Sequence, residues 1–473
     1  MFDKAKVLSL GIPREKKLLG LALKGSNVAL SEGAAEGEVA RILEALTASP
    51  RPLEVELGAL APYLEELRAA LAQAREGQSL YFERESPAPW RSYAEDGEQS
   101  GALEQLCAAC RLPISRGGAL MPDAHKGYGL PIGGVLAVKN AVIPYAVGVD
   151  IACRMRLSVL DIPVEEYASR QEQFKEALER QTRFGVGAHF ERGEYLEHEV
   201  MADPLWQKLE VLKNHYEKAR AQLGTSGSGN HFVELGTLNV PCDLTEPSFT
   251  LKAGSYLALL SHSGSRGAGE SVAEFYSALA LSYHHELPSE LKHLAWLTLD
   301  TAPGQEYWEA IQLMGRYAAA NHELIHRRVI DYLGCGSLGM VENHHNFAWR
   351  EHYDGEELIV HRKGATPAGQ GVLGVVPGSM GAAGFVVRGR GERASYASCS
   401  HGAGRVMSRK AAFKTLSAAR MQEILSGKGI TLLSGQLDES PEVYRDIEQV
   451  MRAQCDLVDV LARFEPRLVK MAP

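Results

Sequence analysis

Near residue 85 the pattern of the chain changes, and that change limits the fold more than any bulk number. Before it, GEVARILEAL and LAPYLEELRAALAQAREG repeat apolar residues at helical spacing, with TASPRP as a break between them. From about residue 86 onward, short apolar runs alternate with glycine-rich turns. The stretch GGVLAVKNAVIPYAVGVDIACRMRLSVL reads as two or three strands joined by turns. VEEYASRQEQFKEALERQTR and PLWQKLEVLKNHYEKARAQL read as helices, and YWEAIQLMGRYAAANHELIHRRVIDYLG as a long one ending at Gly334. No repeat, low-complexity tract or flexible linker divides this second region. The expectation is an α+β protein: a mainly helical segment over residues 1–85, then one large domain of mixed β-sheets and surrounding helices over 86–473.

Composition enters mainly by exclusion. The longest apolar runs, LSLGIP and YLALL, are far short of a membrane span, and MFDKAKVLSLGIPREKK lacks a secretory core, so a cytoplasmic protein without a membrane partner is expected. Seven cysteines, an odd and scattered number, argue against a disulfide framework. Cys107 and Cys110 form one CxxC without a second pair, and LEQLCAACRLP reads as a helix face, not a zinc site. The net charge of −9 gives no general sign of nucleic-acid binding. Residues 388–420, however, hold eight basic residues against one acid, which suits a specific phosphate-bearing partner.

Chemistry concentrates where histidines stand among small residues. In SCSHGAGRVMSR, Gly402 and Gly404 permit close backbone approach to a ligand, and VMSRKAAFKTLSAAR reads as a helix beginning just after His401. On such a helix Arg405 and Arg409, four apart, share a face and can grip phosphate beside the largely unshielded His401. A glycine-rich turn with an incidental histidine reads the same letters equally well. SYHHELPSELKH and NHELIHRR lie on charge-rich helices and read as ordinary surface histidines. GVDIACRM sets Asp150 and Cys153 three apart, GTSGSGNHFVELG presents Asn230, His231 and Glu234, LLSHSGSRGAGE presents His262 and Arg266, and ENHHNFAW offers His344 and His345. Taken singly, each is more often structural. Together, three histidines, an aspartate and a cysteine are enough to hold two metal ions with a bridging thiolate, and Mn²⁺, Zn²⁺ or Fe²⁺ would fit. Such a pair suits phosphoryl or nucleotidyl transfer, and equally a hydrolase.

The ordered motifs MPDAHKGYGLPIGG, GVDIACRM, GSGNHFVELG, HSGSRGAG, HHNFAW, HRKGATPA, PGSMG and SHGAGRVMSR, with the ending PEVYRDIEQV…PRLVKMAP, resemble the RtcB-type RNA ligases from about residue 95 to the C-terminus. The resemblance implies a GTP- and Mn²⁺-dependent enzyme that joins RNA 3′-phosphate or 2′,3′-cyclic phosphate ends to 5′-hydroxyl ends, in RNA repair or tRNA splicing. It implies that Cys153 bridges two Mn²⁺ ions, with Asp150 and His231 completing one site and His262 and His345 the other. His345 is chosen over His344 because it directly precedes Asn346, as in the family's HNFA. His401 would be the nucleophile that takes GMP. Glu234 would read guanine, Ser379, Tyr444 and Lys470 would line the nucleotide pocket, and Asn230, Gly402 and Gly404 would lie by the phosphates. Arg266, Arg405 and Arg409 would meet RNA or its terminal phosphate. In part of the family an accessory protein activates the enzyme.

Three departures stand out. Ala152 and Arg154 flank the cysteine where the family usually has glycines, Arg154 bringing charge and bulk beside the thiolate. Lys126 stands in DAHKGYG where an aromatic is common. The first 85 or so residues match nothing in the pattern. Two other readings use the same residues: a dinuclear metallophosphodiesterase or phosphatase without a covalent nucleotide, and a non-catalytic RNA-binding protein. A guanine pocket is superfluous to the first, and five metal ligands to the second.

Overall fold

Four helices, Lys4–Ser9, Lys16–Ser31, Glu36–Ala48 and Ala61–Arg75, open the chain. They bury a set of their own, including Leu18, Leu43, Leu46 and Leu64. In this computed structural model the described residues are 1–49, 51–76, 78, 81–94 and 100–473; Pro50, inside the TASPRP break, lies outside them. The helices are tied to the rest by Arg75, which donates to Ser282 O at 3.2 Å, and by a hydrogen bond from Tyr283 to Glu15.

Beyond them, two sheets carry the molecule. The larger has eight strands, seven of them in the order Ser337–His344, Arg154–Leu160, Gly254–Ser263, Phe232–Val240, Val458–Met471, Gly384–Gly389, Leu373–Val376, with Thr431–Ser434 pairing Val458–Met471. The smaller runs Trp90–Ser92, Ser115–His125, Ile132–Val138, Glu356–Lys363, Asn346–Tyr353. One of the chain's passages between them is a single residue long: Ser337–His344 ends in the larger sheet and Asn346–Tyr353 begins in the smaller, leaving His345 at the joint. A short ladder of Ala365–Pro367 on Ser398–Ser400 delivers His401 to the same place.

The long helix Ala302–Leu333 forms as read, with Thr301 accepting from Gly304 N as its N-cap and Gly334 left-handed at φ +65° beyond its end. His322 and His326 do not lie on the surface, as NHELIHRR suggested. Both are buried, on the helix stripe that also buries Ala318 and Val329. PLWQKLEVLKNHYEKARAQL is not one helix but three short turns, Leu205–Lys208, Glu210–Lys213 and Tyr216–Gln222, with Leu209 extended between the first two. Burying Trp206, Leu209, Val211 and Leu212 at once outweighs helix propensity here. Among the described residues no helix is long and apolar enough to cross a membrane.

Candidate metal and nucleotidyl-transfer site

Antiparallel pairing brings the ligand candidates together. Arg154 pairs with both His344 and Ser263, and His262 with Phe232, so one edge of the larger sheet carries the end of Ser337–His344, the start of Arg154–Leu160, the end of Gly254–Ser263 and the start of Phe232–Val240. Cys153, His231 and His345 sit one residue off those ends, and His262 one residue inside. Cys153, His262 and His345 border a cavity of about 220 Å³ together with Asp150, His401 and Asn230, and His231 stands against it behind Asp150 and Cys153.

Within it, Cys153 Sγ lies 2.9 Å from His262 Nε2 and 3.7 Å from His231 Nε2. His262 Nε2 faces His345 Nε2 at 3.2 Å, and His231 Nε2 faces Asp150 Oδ2 at 2.9 Å. His262 Nδ1 donates to Asn230 O and His231 Nδ1 to Ser226 O, which directs each ring's Nε2 lone pair inward. Burial pushes the His262 pKa down to about 3 and that of His345 well below its usual value, so both rings are neutral near pH 7. Burial opposes charge on Asp150, yet the neighbouring His231 and Cys153 hold its carboxyl below the usual range; burial lifts the Cys153 thiol well above its own. His345 Nδ1 has no hydrogen-bond partner among the described residues. Lone pairs of nitrogen, oxygen and sulfur thus converge with too few protons between them. A divalent cation fits that donor set, and a bound cation deprotonates the thiol outright.

His401 borders the same cavity, its ring 5.0 Å from that of His345. It is not unshielded. Asp123, fully buried, accepts from His401 Nδ1 at 2.6 Å and from the backbone N–H groups of His401 and Gly402. Asp123 lies inside MPDAHKG, where its only sequence signal was a carboxylate in a glycine-containing strand end. His125, two residues on, also lines the cavity, and burial lowers its pKa to about 4. Asn346 was missed too: it accepts from Gly364 N and donates to Asp150 O.

The arginines arrive differently from the helix reading. The helix starts only at Arg409, capped by Ser408, and a second, Ala418–Gly427, comes after Leu416, so His401 precedes no helix directly. Arg405 lies outside, bridged to Tyr444, and the two arginines meet through carboxylates: Arg405 on Glu439 at 3.2 Å, Arg409 on Asp438 at 2.5 Å. Both border the cavity, as do Ser379, Gly402, Gly404 and Tyr444. Arg266 stands just behind, donating to Thr225 Oγ1, at a left-handed φ of +57°. Every arginine of the basic stretch is paired with an acid, Arg388, Arg390, Arg393 and Arg420 included, so the local excess is largely neutralised.

Glu234 lies on the sheet face of the cavity-lining Phe232 and Met471, and burial alone raises its pKa to about 8, which keeps it protonated at neutral pH. Lys470 is not brought to it. Lys470 pairs with Val233 and occupies the opposite face, where its ammonium donates to Leu178 O, Glu179 O and Thr182 O at the end of helix Gln171–Gln181. Arg154 also turns away from the cavity. Coming after Cys153 in the strand, it points to the other face, into an ion pair with Glu342 at 2.9 Å and a bond to Gly315 O, so it crowds no thiolate. His344 packs against Trp349, the rings tilted by 31° at 5.0 Å, leaving His345 to the cluster. Ala152 holds φ +56°, a left-handed conformation that glycine adopts without strain.

The family profile described as tRNA-splicing ligase RtcB matches residues 105–471. The RNA-splicing ligase RtcB of Escherichia coli (strain K12) is 33% identical over 391 residues, spanning 77% of this chain and 92% of its own length. The tRNA-splicing ligase RtcB of Thermococcus kodakarensis is 29% identical over 463 residues, 81% and 95% of the two chains. The RNA-splicing ligase RtcB of Mycobacterium bovis is 30% identical over 428 residues, 76% and 98%. A cavity that joins a cysteine–imidazole cluster to a carboxylate-held histidine thus lies within a match covering most of the chain, and on that ground the chain belongs to the RtcB family of RNA ligases.

Proposed function

We propose that the protein joins RNA 3′-phosphate or 2′,3′-cyclic phosphate ends to 5′-hydroxyl ends, using GTP and two Mn²⁺ ions and passing through a guanylyl-His401 intermediate. The observation that carries this reading is the Asp123–His401 pair: by accepting the Nδ1 proton, Asp123 leaves Nε2 as the nucleophilic nitrogen, beside the metal-type cluster. Cys153, Asp150, His231, His262 and His345 would hold the ions, which when bound would neutralise charge on phosphoryl oxygens.

His401 Nε2 attacks the GTP α-phosphorus, forming an N–P bond as pyrophosphate leaves. Asp123 stabilises the positive charge that develops on the ring. A cyclic phosphate is first opened by water. The RNA 3′-phosphate then takes GMP from His401, and the 5′-hydroxyl attacks that activated phosphate, releasing GMP. Asn230, Ser379, Tyr444, Gly402 and Gly404 border the nucleotide's place, and the protonated Glu234 can donate to a guanine acceptor. Arg405 and Arg409 meet phosphate at the rim, with Arg266 behind. Lys470, tied to helix carbonyls on the far face, has no part in this pocket.

The test is to incubate the protein with Mn²⁺ and α-³²P-GTP and look for acid-labile label on the denatured chain. Label is expected in the wild type and absent in His401→Ala. Label surviving in His401→Ala moves the nucleophile elsewhere; no label with metal bound turns the reading to a metallohydrolase.

A further inference from the structure

The loop Lys126–Pro131 joins two strand ends that both border the cavity, at His125 and Ile132. At its tip Tyr128 is 72% exposed, the most exposed Phe, Trp or Tyr among the described residues. Its backbone is nonetheless held from two sides. Gln105 exchanges two hydrogen bonds with Gly127, at 2.6 and 3.0 Å, and the buried Lys363 donates to Tyr128 O at 2.6 Å. The next residue, Gly129, turns at φ +69°, where a Cβ would come within 2.9 Å of His293 O. The ring touches His293 edge-on, with centroids 5.6 Å apart, and His293 in turn meets Tyr145 at 4.6 Å. An aromatic ring that is supported, held by its backbone and still open to solvent is preorganised to stack on something.

The neighbours of the ring identify its stacking partner. Its chain neighbours are Gly127, Gly129 and the exposed Lys126 and its ring neighbour is His293, none of them an aliphatic side chain of the kind a protein partner would bury. One ring and one ammonium, two residues apart, match the base and phosphate of a single nucleotide. Three residues of chain reach at most about 10 Å, so Tyr128 stays close to His125 and the cavity. We propose that Tyr128 and Lys126 form a platform for an unpaired nucleotide of the RNA beside its reacting end, an inference that rests on the RNA-ligase reading above. It gives the lysine that departs from the family's aromatic a role, as the phosphate contact of that platform.

The experiment is fluorescence anisotropy, without GTP, of a short single-stranded RNA ending in a 3′-phosphate, with a blunt duplex of the same sequence alongside. Tyr128→Ala is expected to weaken single-strand binding about ten-fold and to leave duplex binding unchanged, while Tyr128→Trp and Tyr128→Phe restore it. Lys126→Ala should lower the salt dependence of log K by about 0.7, one phosphate contact's worth. Melting temperatures establish that each variant folds. If folded Tyr128→Ala binds single strands as the wild type does, the platform is overturned and a protein contact becomes the better account of the exposed ring. Loss in Tyr128→Phe as large as in Tyr128→Ala overturns stacking as well. GMP labelling of the wild type separates the two readings: label without RNA binding sinks the platform alone, and no label sinks the ligase reading beneath it.

Discussion

Two groups of buried histidines lie on the two sides of strand Gly254–Ser263. In front, His231, His262 and His345 turn nitrogen lone pairs toward one another and toward Asp150 and Cys153. Behind, His322 and His326 of the long helix meet Ser261 and Ser158. There the protons form one consistent chain. His322 Nε2–H donates to Ser263 O, so its Nδ1 accepts from Ser261 Oγ–H; Ser261 Oγ then accepts from His326 Nε2–H, and His326 Nδ1 accepts from Ser158 Oγ–H. Residue type and burial are the same in both groups. The proton inventory differs, and it decides which group calls for a cation.

That contrast can be broken by three measurements. Cys153→Ala should cut affinity for Mn²⁺ or Co²⁺ by more than about 100-fold, read by calorimetry or elemental analysis, because it removes the atom that both halves of the front group share. Two ions retained at wild-type affinity would remove the thiolate from the centre. His326→Leu should leave metal affinity within a few-fold but cost about 2 kcal/mol in denaturant unfolding, since Ser158 and Ser261 lose their buried partner. A metal loss matching that of Cys153→Ala would mean the two groups are not separate. The smallest effect is Ala152→Gly, expected to stabilise the protein by about 1 kcal/mol through relief of the left-handed φ, offset in part by the entropy of the unfolded glycine. A clear destabilisation would show that the Ala152 methyl, buried in the main core, outweighs its backbone strain.

Much of this was legible in the chain, and the misses have physical causes. The mainly helical start ahead of a mixed α+β region, the long helix with its Gly334 end and the crowding of ligand-type residues into glycine-rich motifs could all be read, because they rest on local periodicity and local composition. The basic stretch reads as carrying more net charge than it does, because its neutralising acids, such as Glu246, Asp354, Asp438 and Asp459, come from distant segments. Lys470 misled because strand alternation, not proximity in the chain to a motif, decides which face a side chain takes. His322 and His326 did leave a signal: they continue the apolar stripe of Ala318 and Val329 at helical spacing. Asp123 left little, since its partner His401 is 278 residues away.

The placement of the candidate ligands at strand ends also governs where the chain can be edited. At the far end of the same sheet, the connection from Phe232–Val240 to Gly254–Ser263 already accommodates a small hairpin, Leu244–Glu246 on Phe249–Leu251. Sequence inserted at its exposed turn, Pro247 and Ser248, extends that turn and leaves the pairing alone. At the ligand end there is no slack: one residue added between Cys153 and Arg154, or between His231 and Phe232, shifts a donor out of register, and one added within a strand turns it to the opposite face. For anyone fusing a reporter or tag into this protein, the far loops are the place to insert, and the cavity edge has to be copied residue for residue.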